Sequence, residues 1–210
     1  MKFTGKVALV TGGGRGIGAE IARSLARDGA TVAVSARTES EVKAVVDEIV
    51  KAGGRAQYFI ADLAQAEQAH ALVSKVVAAL GPIDFLVNNA GIASSAPVAK
   101  ISLEEWNRIF AINVTATFLC TQAALPKMIE RGSGRVVNIA SVAARFGARY
   151  IAAYAASKHA VLGFTRCVAA EVAAFGVTAN AVCPGFVDTE MVAESVSRIV
   201  AKTGMPSDQA

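Results

Sequence analysis

The feature that most constrains the fold of this chain is a regular alternation of short strand patterns with longer helical patterns along its 210 residues. Six short runs rich in β-branched and apolar residues predict strands, at Val7–Val10, Thr31–Ser35, Ala56–Ile60, Phe85–Asn88, Arg135–Ile139 and Thr178–Val182. Six longer runs predict helices, at about Gly16–Arg27, Glu39–Lys51, Ala66–Ala79, Glu104–Glu130, Tyr154–Ala174 and Thr189–Lys202. Such alternation produces right-handed crossovers and a parallel sheet with helices on both faces. We therefore predict an α/β fold, a doubly wound parallel sheet of the Rossmann type, in a single domain that spans residues 1–210.

The composition agrees with this fold and argues against several other classes of protein. Hydrophobic residues make up 53% of the chain and aromatic residues 6%, which suits strands buried between alanine-lined helices. The net charge of +4 comes from scattered basic residues, so we expect no nucleic-acid partner. Cys120, Cys167 and Cys183 lack metal-ligand or redox-pair spacing, which predicts no metal site and a reducing cytoplasm. No apolar run reaches the length of a bilayer, so we expect neither a signal peptide nor a membrane span.

A glycine-rich loop follows the first predicted strand and leads into the first predicted helix. It contains Gly12, Gly14, Gly16 and Gly18. Glycines at this turn let the backbone approach a pyrophosphate closely, and the helix N-terminus offers free N–H groups and positive potential. The position favours dinucleotide binding over a structural turn, although methyltransferases and other nucleotide-binding proteins also place glycines here.

The end of the second predicted strand distinguishes between the two nicotinamide dinucleotides. An Asp or Glu there would accept a hydrogen bond from a ribose 2′-hydroxyl and repel a 2′-phosphate, but the chain has Ala36 followed by Arg37. Arg37, together with Arg15 of the glycine-rich loop, offers two guanidinium groups to a phosphate. We therefore predict that NADP(H) is preferred over NAD(H). The alternative is that both arginines are only solvated and that Glu39 partly offsets their charge.

Tyr154 and Lys158 are four residues apart in a predicted helix and therefore share one of its faces. An isolated tyrosine has a pKa of about 10, but a cation beside it favours the phenolate and lowers that pKa. The pair is a candidate proton donor. The same spacing also occurs by chance on amphipathic helices, so the pair by itself is weak support for catalysis.

Four motifs occur in order along the chain: the glycine-rich loop, Asn88-Asn89-Ala90-Gly91 after the fourth predicted strand, Ser141 after the fifth, and Tyr154-x-x-x-Lys158. Together they resemble the classical short-chain dehydrogenase/reductase family, from about residue 6 to residue 191. The sequence around Tyr154 and Pro184 resembles that of the 3-oxoacyl and polyketide ketoreductase branch. The resemblance implies an NAD(P)-dependent oxidoreductase that transfers hydride between the nicotinamide and a ketone or secondary alcohol, with a 3-oxoacyl thioester or polyketide-like ketone as the suggested substrate.

The resemblance also implies roles for four predicted catalytic residues. Tyr154 would be the general acid in reduction and the base in oxidation, while Lys158 would lower the pKa of the phenol and bind the hydroxyls of the nicotinamide ribose. Ser141 would donate a hydrogen bond to the substrate oxygen. Asn113 would hold a water that connects the lysine to solvent. Considered alone, each residue would more often be structural, Ser141 as an N-cap and Asn113 as a core residue that bends its helix.

Cofactor contacts follow from the same resemblance. Asp62, next to Leu63, would accept a hydrogen bond from the adenine amino group. The Val187 backbone and the Thr189 hydroxyl would hold the carboxamide of the nicotinamide. The predicted cofactor-binding residues are Gly12, Gly14, Arg15, Gly16, Ile17, Gly18, Arg37, Asp62, Leu63, Asn89, Gly91, Tyr154, Lys158, Pro184, Gly185, Val187 and Thr189.

Segments outside these motifs predict the substrate cleft and the assembly. Arg145–Ile151 and the predicted helix from Met191 to Lys202 would frame the substrate, with Phe146 among the residues of an apolar pocket. An arginine near the mouth of the substrate cleft would attract a phosphate or carboxylate on an acyl carrier or coenzyme A, or would simply be solvated. Members of the family commonly pair two long helices between subunits, which predicts a homo-oligomer, either a dimer or a tetramer.

The sequence ends at Ala210, whereas the family pattern continues through another helix and a seventh strand. We therefore expect six strands, with Thr178–Val182 exposed as an edge. The missing strand motivates one alternative from another functional class, an NADP-binding sensor or scaffold without turnover. The complete set of Asn113, Ser141, Tyr154 and Lys158 argues against this alternative.

Overall fold

A computed structural model describes residues 1–185 and residue 187 of the chain. Its described part contains one sheet of six strands, β1 (Val7–Thr11), β2 (Thr31–Ala36), β3 (Arg55–Ile60), β4 (Phe85–Asn88), β5 (Gly134–Ile139) and β6 (Val177–Val182). The strand order is β3-β2-β1-β4-β5-β6, and every neighbouring pair is parallel. This confirms the predicted doubly wound Rossmann-type sheet, and each predicted strand is within one residue of its observed bounds.

The helices that connect the strands agree with the predicted order and differ in some bounds. The described residues form α1 (Gly16–Arg27), α2 (Glu39–Lys51), α3 (Ala66–Leu80), α4 (Leu103–Phe110), α5 (Ala116–Glu130) and α6 (Ala152–Val172). The single helix predicted over Glu104–Glu130 is interrupted by a π-helical turn, Ala111–Thr115, between α4 and α5. Periodicity does not reveal such a turn because one wider turn barely disturbs an apolar pattern. The helix predicted at Thr189–Lys202 lies outside the described residues.

Two hydrophobic clusters cover the two faces of the sheet. Leu9 packs into the cluster formed with α3, α5 and α6, whereas the next residue, Val10, packs into the cluster formed with α1 and α2. All five residues of β1 are buried for this reason. Strands covered on both faces read as continuous apolar runs, which explains why composition and strand pattern agree on a parallel sheet.

The carboxyl ends of the strands meet at one edge of the sheet and are each followed by predicted site residues. The direction of chain growth reverses between β1 and β4, which leaves a crevice outside their ends. The segments that follow the six strands begin with Gly12, Arg37, Ala61-Asp62, Asn89, Ala140-Ser141 and Cys183-Pro184.

One helical run among the described residues, Leu103–Glu130, is long and apolar enough to cross a membrane: it has 28 residues, and an 18-residue window within it has a mean hydropathy of 1.4. The sequence-based expectation of no membrane span therefore overlooked this run. Ala116, Cys120, Ala124 and Met128 pack one side of it into the core of the sheet. Core helices of this length satisfy the same criteria, so the run is weak support for a membrane span.

Candidate active site

The glycine-rich loop forms a close-fitting cradle at the start of α1. Gly12 and Gly16 have φ values of 61° and 52°, in the left-handed region that favours glycine. A Cβ added at Gly12 would lie 2.8 Å from the Ala90 Cα, and one at Gly18 would overlap the Gly12 carbonyl oxygen. Side chains at these positions would collide with the end of β4 and with the loop itself, so only glycines allow the loop to pack this tightly at the N-terminus of α1. The backbone N–H groups of such a helix N-terminus suit the pyrophosphate of a dinucleotide.

Reciprocal hydrogen bonds tie this loop to the end of β4. The Asn89 Nδ2 donates to the carbonyl oxygens of Thr11 and Gly12, both at 3.0 Å. The Thr11 hydroxyl in turn accepts from the backbone N–H groups of Asn89 at 3.0 Å and Ala90 at 3.1 Å. The Asn89 amide therefore holds the shape of the loop, and its predicted place beside the ribose stays a prediction.

The end of β2 presents both positive and negative side chains. Arg37 is exposed directly after β2, as the predicted phosphate site requires. Glu39 accepts a hydrogen bond from the Tyr58 hydroxyl at 3.2 Å. Glu41, which the sequence gave no reason to single out, lies against the glycine-rich loop, because a Cβ added at Gly14 would be 2.9 Å from the Glu41 Cβ.

A cleft of about 670 Å³ adjoins the start of α1. It brings together five of the predicted cofactor-binding residues, Gly14, Arg15, Gly16, Ile17 and Val187. Arg37 and Asp62 are not among the residues that line it. The cleft therefore covers the phosphate end of the predicted site but not its adenine end.

The adenine end shows two residues in different environments. The Asp62 Oδ1 accepts a hydrogen bond from the Ala64 N–H at 3.0 Å, and the Asp62 N–H donates to the Gln68 Oε1 at 2.9 Å. The Leu63 side chain is only 8% exposed and packs into the core. Leu63 therefore offers a ligand its backbone rather than its side chain.

Lys158 is a buried cation on α6. Its Nζ donates to the Ile139 carbonyl oxygen at the end of β5, at 2.8 Å, and lies 5.8 Å from the centroid of the Tyr154 ring. A Cβ added at Gly91 would be 3.3 Å from the Asn113 Oδ1 and 3.4 Å from this Nζ, so the Gly91 backbone packs closely against both side chains. The structure thus brings Gly91, Tyr154 and Lys158 to one place.

Ser141 connects the end of β5 to Tyr154. Its Oγ accepts a hydrogen bond from the Ala143 N–H at 3.1 Å and so caps the short 3-10 turn Val142–Ala144. The Ser141 hydroxyl also lies near the Tyr154 phenol, and its hydrogen-bonding effect there acts to lower the pKa of Tyr154. The N-cap alternative is therefore present in the structure, and the hydrogen bond from Ser141 to the substrate oxygen stays a prediction.

Burial governs the pKa values of the tyrosine and the lysine. Burial raises the pKa of Tyr154 above its usual 10.0, and the hydrogen bond with Ser141 only partly opposes this effect. Burial also lowers the pKa of Lys158 to about 8. The expectation of a lowered pKa for Tyr154 is therefore wrong for this structure, because burial disfavours the phenolate more strongly than the hydrogen bond with Ser141 favours it.

The lowered pKa of Lys158 predicts a pH dependence of stability. Below pH 8, Lys158 is protonated in both the folded and the unfolded chain, whereas between its folded pKa of about 8 and its ordinary 10.5 the unfolded chain binds more protons. The free energy of unfolding should therefore gain up to about 1.4 kcal/mol per pH unit from this residue between pH 8 and about 10. Urea unfolding should show this gain lost in Lys158→Met and kept in Lys75→Met, which changes an exposed lysine. Equal slopes in all three proteins would contradict a depressed pKa.

Asn113 lies in the π-helical turn and is 1% exposed. Its Oδ1 accepts from the Ile92 N–H at 2.8 Å, while its Nδ2 donates to the Ile92 carbonyl at 3.0 Å and to the Ser157 Oγ at 2.9 Å. The side chain therefore joins the loop after β4 to α6 beside Lys158. This agrees with the reading of Asn113 as a residue that shapes its helix, and the water-holding role stays a prediction.

A series of hydrogen-bonded, buried polar side chains connects α5 to α6 by way of the strands β4 and β5. The Asn88 Nδ2 donates to the Thr121 Oγ1 at 3.0 Å and to the Asn138 Oδ1 at 2.8 Å. The Asn138 Nδ2 continues the series to the Thr165 Oγ1 at 2.8 Å. None of these four side chains is more than 4% exposed. The series ties α6, which carries Tyr154 and Lys158, to the two central strands β4 and β5.

Replacing Thr165 with valine is expected to lower the free energy of unfolding by about 1–3 kcal/mol, because the change leaves the buried Asn138 amide without this partner. Thr165→Ser retains the hydroxyl and is the matched control, which should lose less. Urea denaturation of the three proteins measures the difference. A valine variant as stable as the serine variant would show that this hydrogen bond contributes little.

Several residues of the site were missed by sequence reasoning. Thr11, Ser157, Asn138 and Thr165 were not singled out, because a hydroxyl or an amide in an apolar run gives no indication of its partner. The polar positions themselves were a usable signal, since a buried polar side chain requires a hydrogen-bond partner. Thr189 lies outside the described residues, and Pro184 accepts a backbone hydrogen bond from Val142 at 2.9 Å.

Comparisons with known proteins agree with this geometry. The sequence model of the short chain dehydrogenase family matches residues 6–199. The chain is 41% identical over 215 residues to the 3-oxoacyl-[acyl-carrier-protein] reductase of Synechocystis sp., an alignment that covers 99% of this chain and 87% of that protein. It is 40% identical over 210 residues to the D-beta-hydroxybutyrate dehydrogenase of Cupriavidus necator, with coverage of 99% and 81%.

The fold gives the same assignment. A crystal structure of an actinorhodin polyketide ketoreductase variant with NADPH matches with a TM-score of 0.93 at 39% identity, and covers 100% of this chain and 80% of that chain. The family match spans most of the sequence, and the relatives named above are reductases and dehydrogenases. The chain therefore belongs to the short-chain dehydrogenase/reductase family, a family of oxidoreductases that work with a nicotinamide cofactor.

Proposed function

We propose that this protein is an NADP(H)-dependent ketone reductase, or secondary-alcohol dehydrogenase in the reverse direction, built as one catalytic domain over residues 1–210. The observation that carries the proposal is the convergence of Ser141, Tyr154 and Lys158 next to the glycine cradle, at one edge of the sheet. A binding protein without turnover would need the cradle but not a buried serine and a buried lysine on either side of a tyrosine.

The proposed mechanism assigns the proton to Tyr154. When bound, the nicotinamide supplies the hydride that reduces the carbonyl carbon of the substrate. Tyr154 donates its phenolic proton to the carbonyl oxygen, and Ser141, whose oxygen already accepts from Ala143, uses its O–H to stabilise the charge that develops there. Lys158, protonated below its pKa of about 8, then stabilises the phenolate electrostatically.

The proposed preference for NADP(H) rests on the exposed Arg37 directly after β2. A guanidinium at this point suits a 2′-phosphate, and no carboxylate occupies the strand end itself. Glu39 and Glu41 begin α2 nearby and oppose the preference. Asp62, Asn89, Gly91, Pro184 and Gly185 complete the proposed cofactor site, with Val187 and Thr189 at the carboxamide.

The proposed substrate is a small-molecule ketone, and a 3-oxoacyl thioester or polyketide-like ketone is the first class to test. The support comes from relatives named 3-oxoacyl-[acyl-carrier-protein] reductase and polyketide ketoreductase. The region from about residue 189 to 210, which was predicted to frame the substrate, lies outside the residues that the structure describes. Arg145 and Arg149 are exposed in the loop that precedes α6, where they would meet an anionic carrier.

We further propose a cytoplasmic homo-oligomer, a dimer or tetramer, that uses the outer sides of α4, α5 and α6. Phe118 is 41% exposed and packs edge-on against Phe164 of α6, and Trp106, which is 36% exposed, stacks on Phe110. Leu103 is 73% exposed beside them. Apolar side chains grouped in this way on neighbouring helices suit a second copy of the chain.

The test follows NADPH absorbance with a panel of ketones that includes acetoacetyl and longer 3-oxoacyl thioesters. We expect oxidation of NADPH that depends on the ketone, and a smaller rate with NADH. Tight binding of NADPH, measured by its fluorescence, with no oxidation by any ketone would instead support the sensor or scaffold alternative. A higher rate with NADH would contradict the cofactor preference but leave the reaction class intact.

A further inference from the structure

Tyr150 adopts a backbone conformation that is costly for its residue type. Its φ of 69° makes it the one non-glycine residue with a positive φ in the part of the chain that the structure describes. For a residue with a Cβ, the left-handed region is disfavoured by contact with the carbonyl oxygen, and aromatic residues rarely occupy it. Such strained residues persist where the surrounding structure enforces them, and they cluster at functional sites.

The position of Tyr150 relates this strain to the active site. It lies in the loop between Ser141 and Tyr154, two residues before the start of α6 at Ala152. Its carbonyl oxygen accepts a hydrogen bond at 2.8 Å from the N–H of Ala96, in the segment that continues from Gly91. The two loops that leave the site after β4 and after β5 are therefore joined at Tyr150.

The side chain of Tyr150 makes little packing contact that would compensate for this backbone strain. It is 56% exposed, as is Phe146 in the same loop, and every residue from 145 to 150 is exposed. Among the described residues, the aromatic contacts involve other rings. A glycine would satisfy the backbone better, and neither burial nor a ring contact explains the aromatic side chain.

We propose that Tyr150 determines substrate specificity: its ring forms the outer wall of the substrate cleft and contacts an apolar part of the ketone remote from the carbonyl group. The inference rests on the proposed ketone reductase function and deepens it. Tyr150 precedes Tyr154 by four residues and lies in the loop just before α6, so a wall at Tyr150 would meet atoms several bonds from the reacting carbon. The substrate class it selects is an extended or aromatic ketone rather than a short one.

Tyr150→Gly removes both the strain and the ring, and the two effects can be measured separately. We expect Tm to rise by at least about 2 °C, because the left-handed conformation is no longer disfavoured. The kcat/KM for long or aromatic ketones should fall about tenfold, mainly through KM, while that for a short ketone stays within about twofold. Tyr150→Phe retains the ring and should match wild type in Tm and in kcat/KM for long ketones.

Tyr150→Asn gives an independent check, since asparagine tolerates the left-handed region but lacks the ring. It should follow the glycine variant in its selectivity between long and short ketones. Unchanged selectivity in both variants, with normal turnover, would overturn the specificity role while leaving the reductase function intact. If wild type reduced no ketone at all, the proposed function would fall together with this inference.

Discussion

Replacing Tyr154 with phenylalanine is expected to lower kcat for ketone reduction by at least about a hundredfold, the scale of a general acid's contribution. The phenol lies near Ser141, and its ring centroid is 5.8 Å from the Lys158 Nζ. Phenylalanine keeps the ring, so packing around α6 should be preserved. The affinity for NADPH, measured by fluorescence titration, should stay within about threefold of wild type.

A matched control is Tyr58→Phe, which removes a hydroxyl that donates to Glu39 from the edge strand β3, four strand positions away from β5 and Ser141. This variant should keep wild-type kcat for the ketone. A Tyr154→Phe enzyme that retains a tenth or more of the wild-type kcat would assign the proton to another group. A large loss of NADPH affinity in the same variant would instead assign Tyr154 a role in binding.

Replacing Arg37 with aspartate is expected to shift the ratio of NADPH to NADH affinity by about a hundredfold toward NADH. A charge-assisted hydrogen bond contributes about 1.5–3 kcal/mol, and the new carboxylate both removes that bond and repels a 2′-phosphate. The same carboxylate can accept from a ribose 2′-hydroxyl, so NADH affinity should hold or improve. Titrations with each cofactor measure this ratio without any substrate.

The control for this change in charge is Arg55→Asp. Arg55 is exposed at the start of β3, whereas the predicted cofactor site lies at the opposite ends of the strands. The Arg55→Asp variant alters the net charge by the same amount as Arg37→Asp and should leave the ratio of NADPH to NADH affinity unchanged. If Arg37→Asp behaved like Arg55→Asp, the arginine would be solvated, as the sequence-based alternative holds.

The sequence predicted those parts of the structure that depend on local periodicity and on the ends of elements. Strands such as Val7–Thr11 are short and apolar because helices cover both faces, and glycines mark the turn into α1. The type of sheet was predictable because a chain in which strands alternate with helices can adopt only a few strand orders. The candidate residues after each strand were predictable for the same reason, since parallel strands end at one edge.

Features that depend on contacts between distant residues were not predictable in the same way. The bond between Asn138 and Thr165 joins residues 27 positions apart, and nothing in either local pattern indicates the other. The pKa of Tyr154 was expected to fall because the sequence shows a neighbouring lysine but not how deeply the pair is buried. Desolvation is a property of the packed fold, so its effect on both groups required the structure.

The hydrogen bonds between Asn89 and Thr11 have a consequence for how the molecule unfolds. The ladder between β1 and β4 contains three residue pairs, Ala8 to Val10 with Phe85 to Val87, compared with six between β2 and β3. This seam joins the two halves of the doubly wound sheet. The side-chain bonds of Asn89 and Thr11 extend it past the last ladder pair, so that the halves resist separation as a single cooperative unit. A dinucleotide bound across the same crevice would strengthen the seam further. The cofactor would then stabilise the sheet against separation of its halves, in addition to being a reactant.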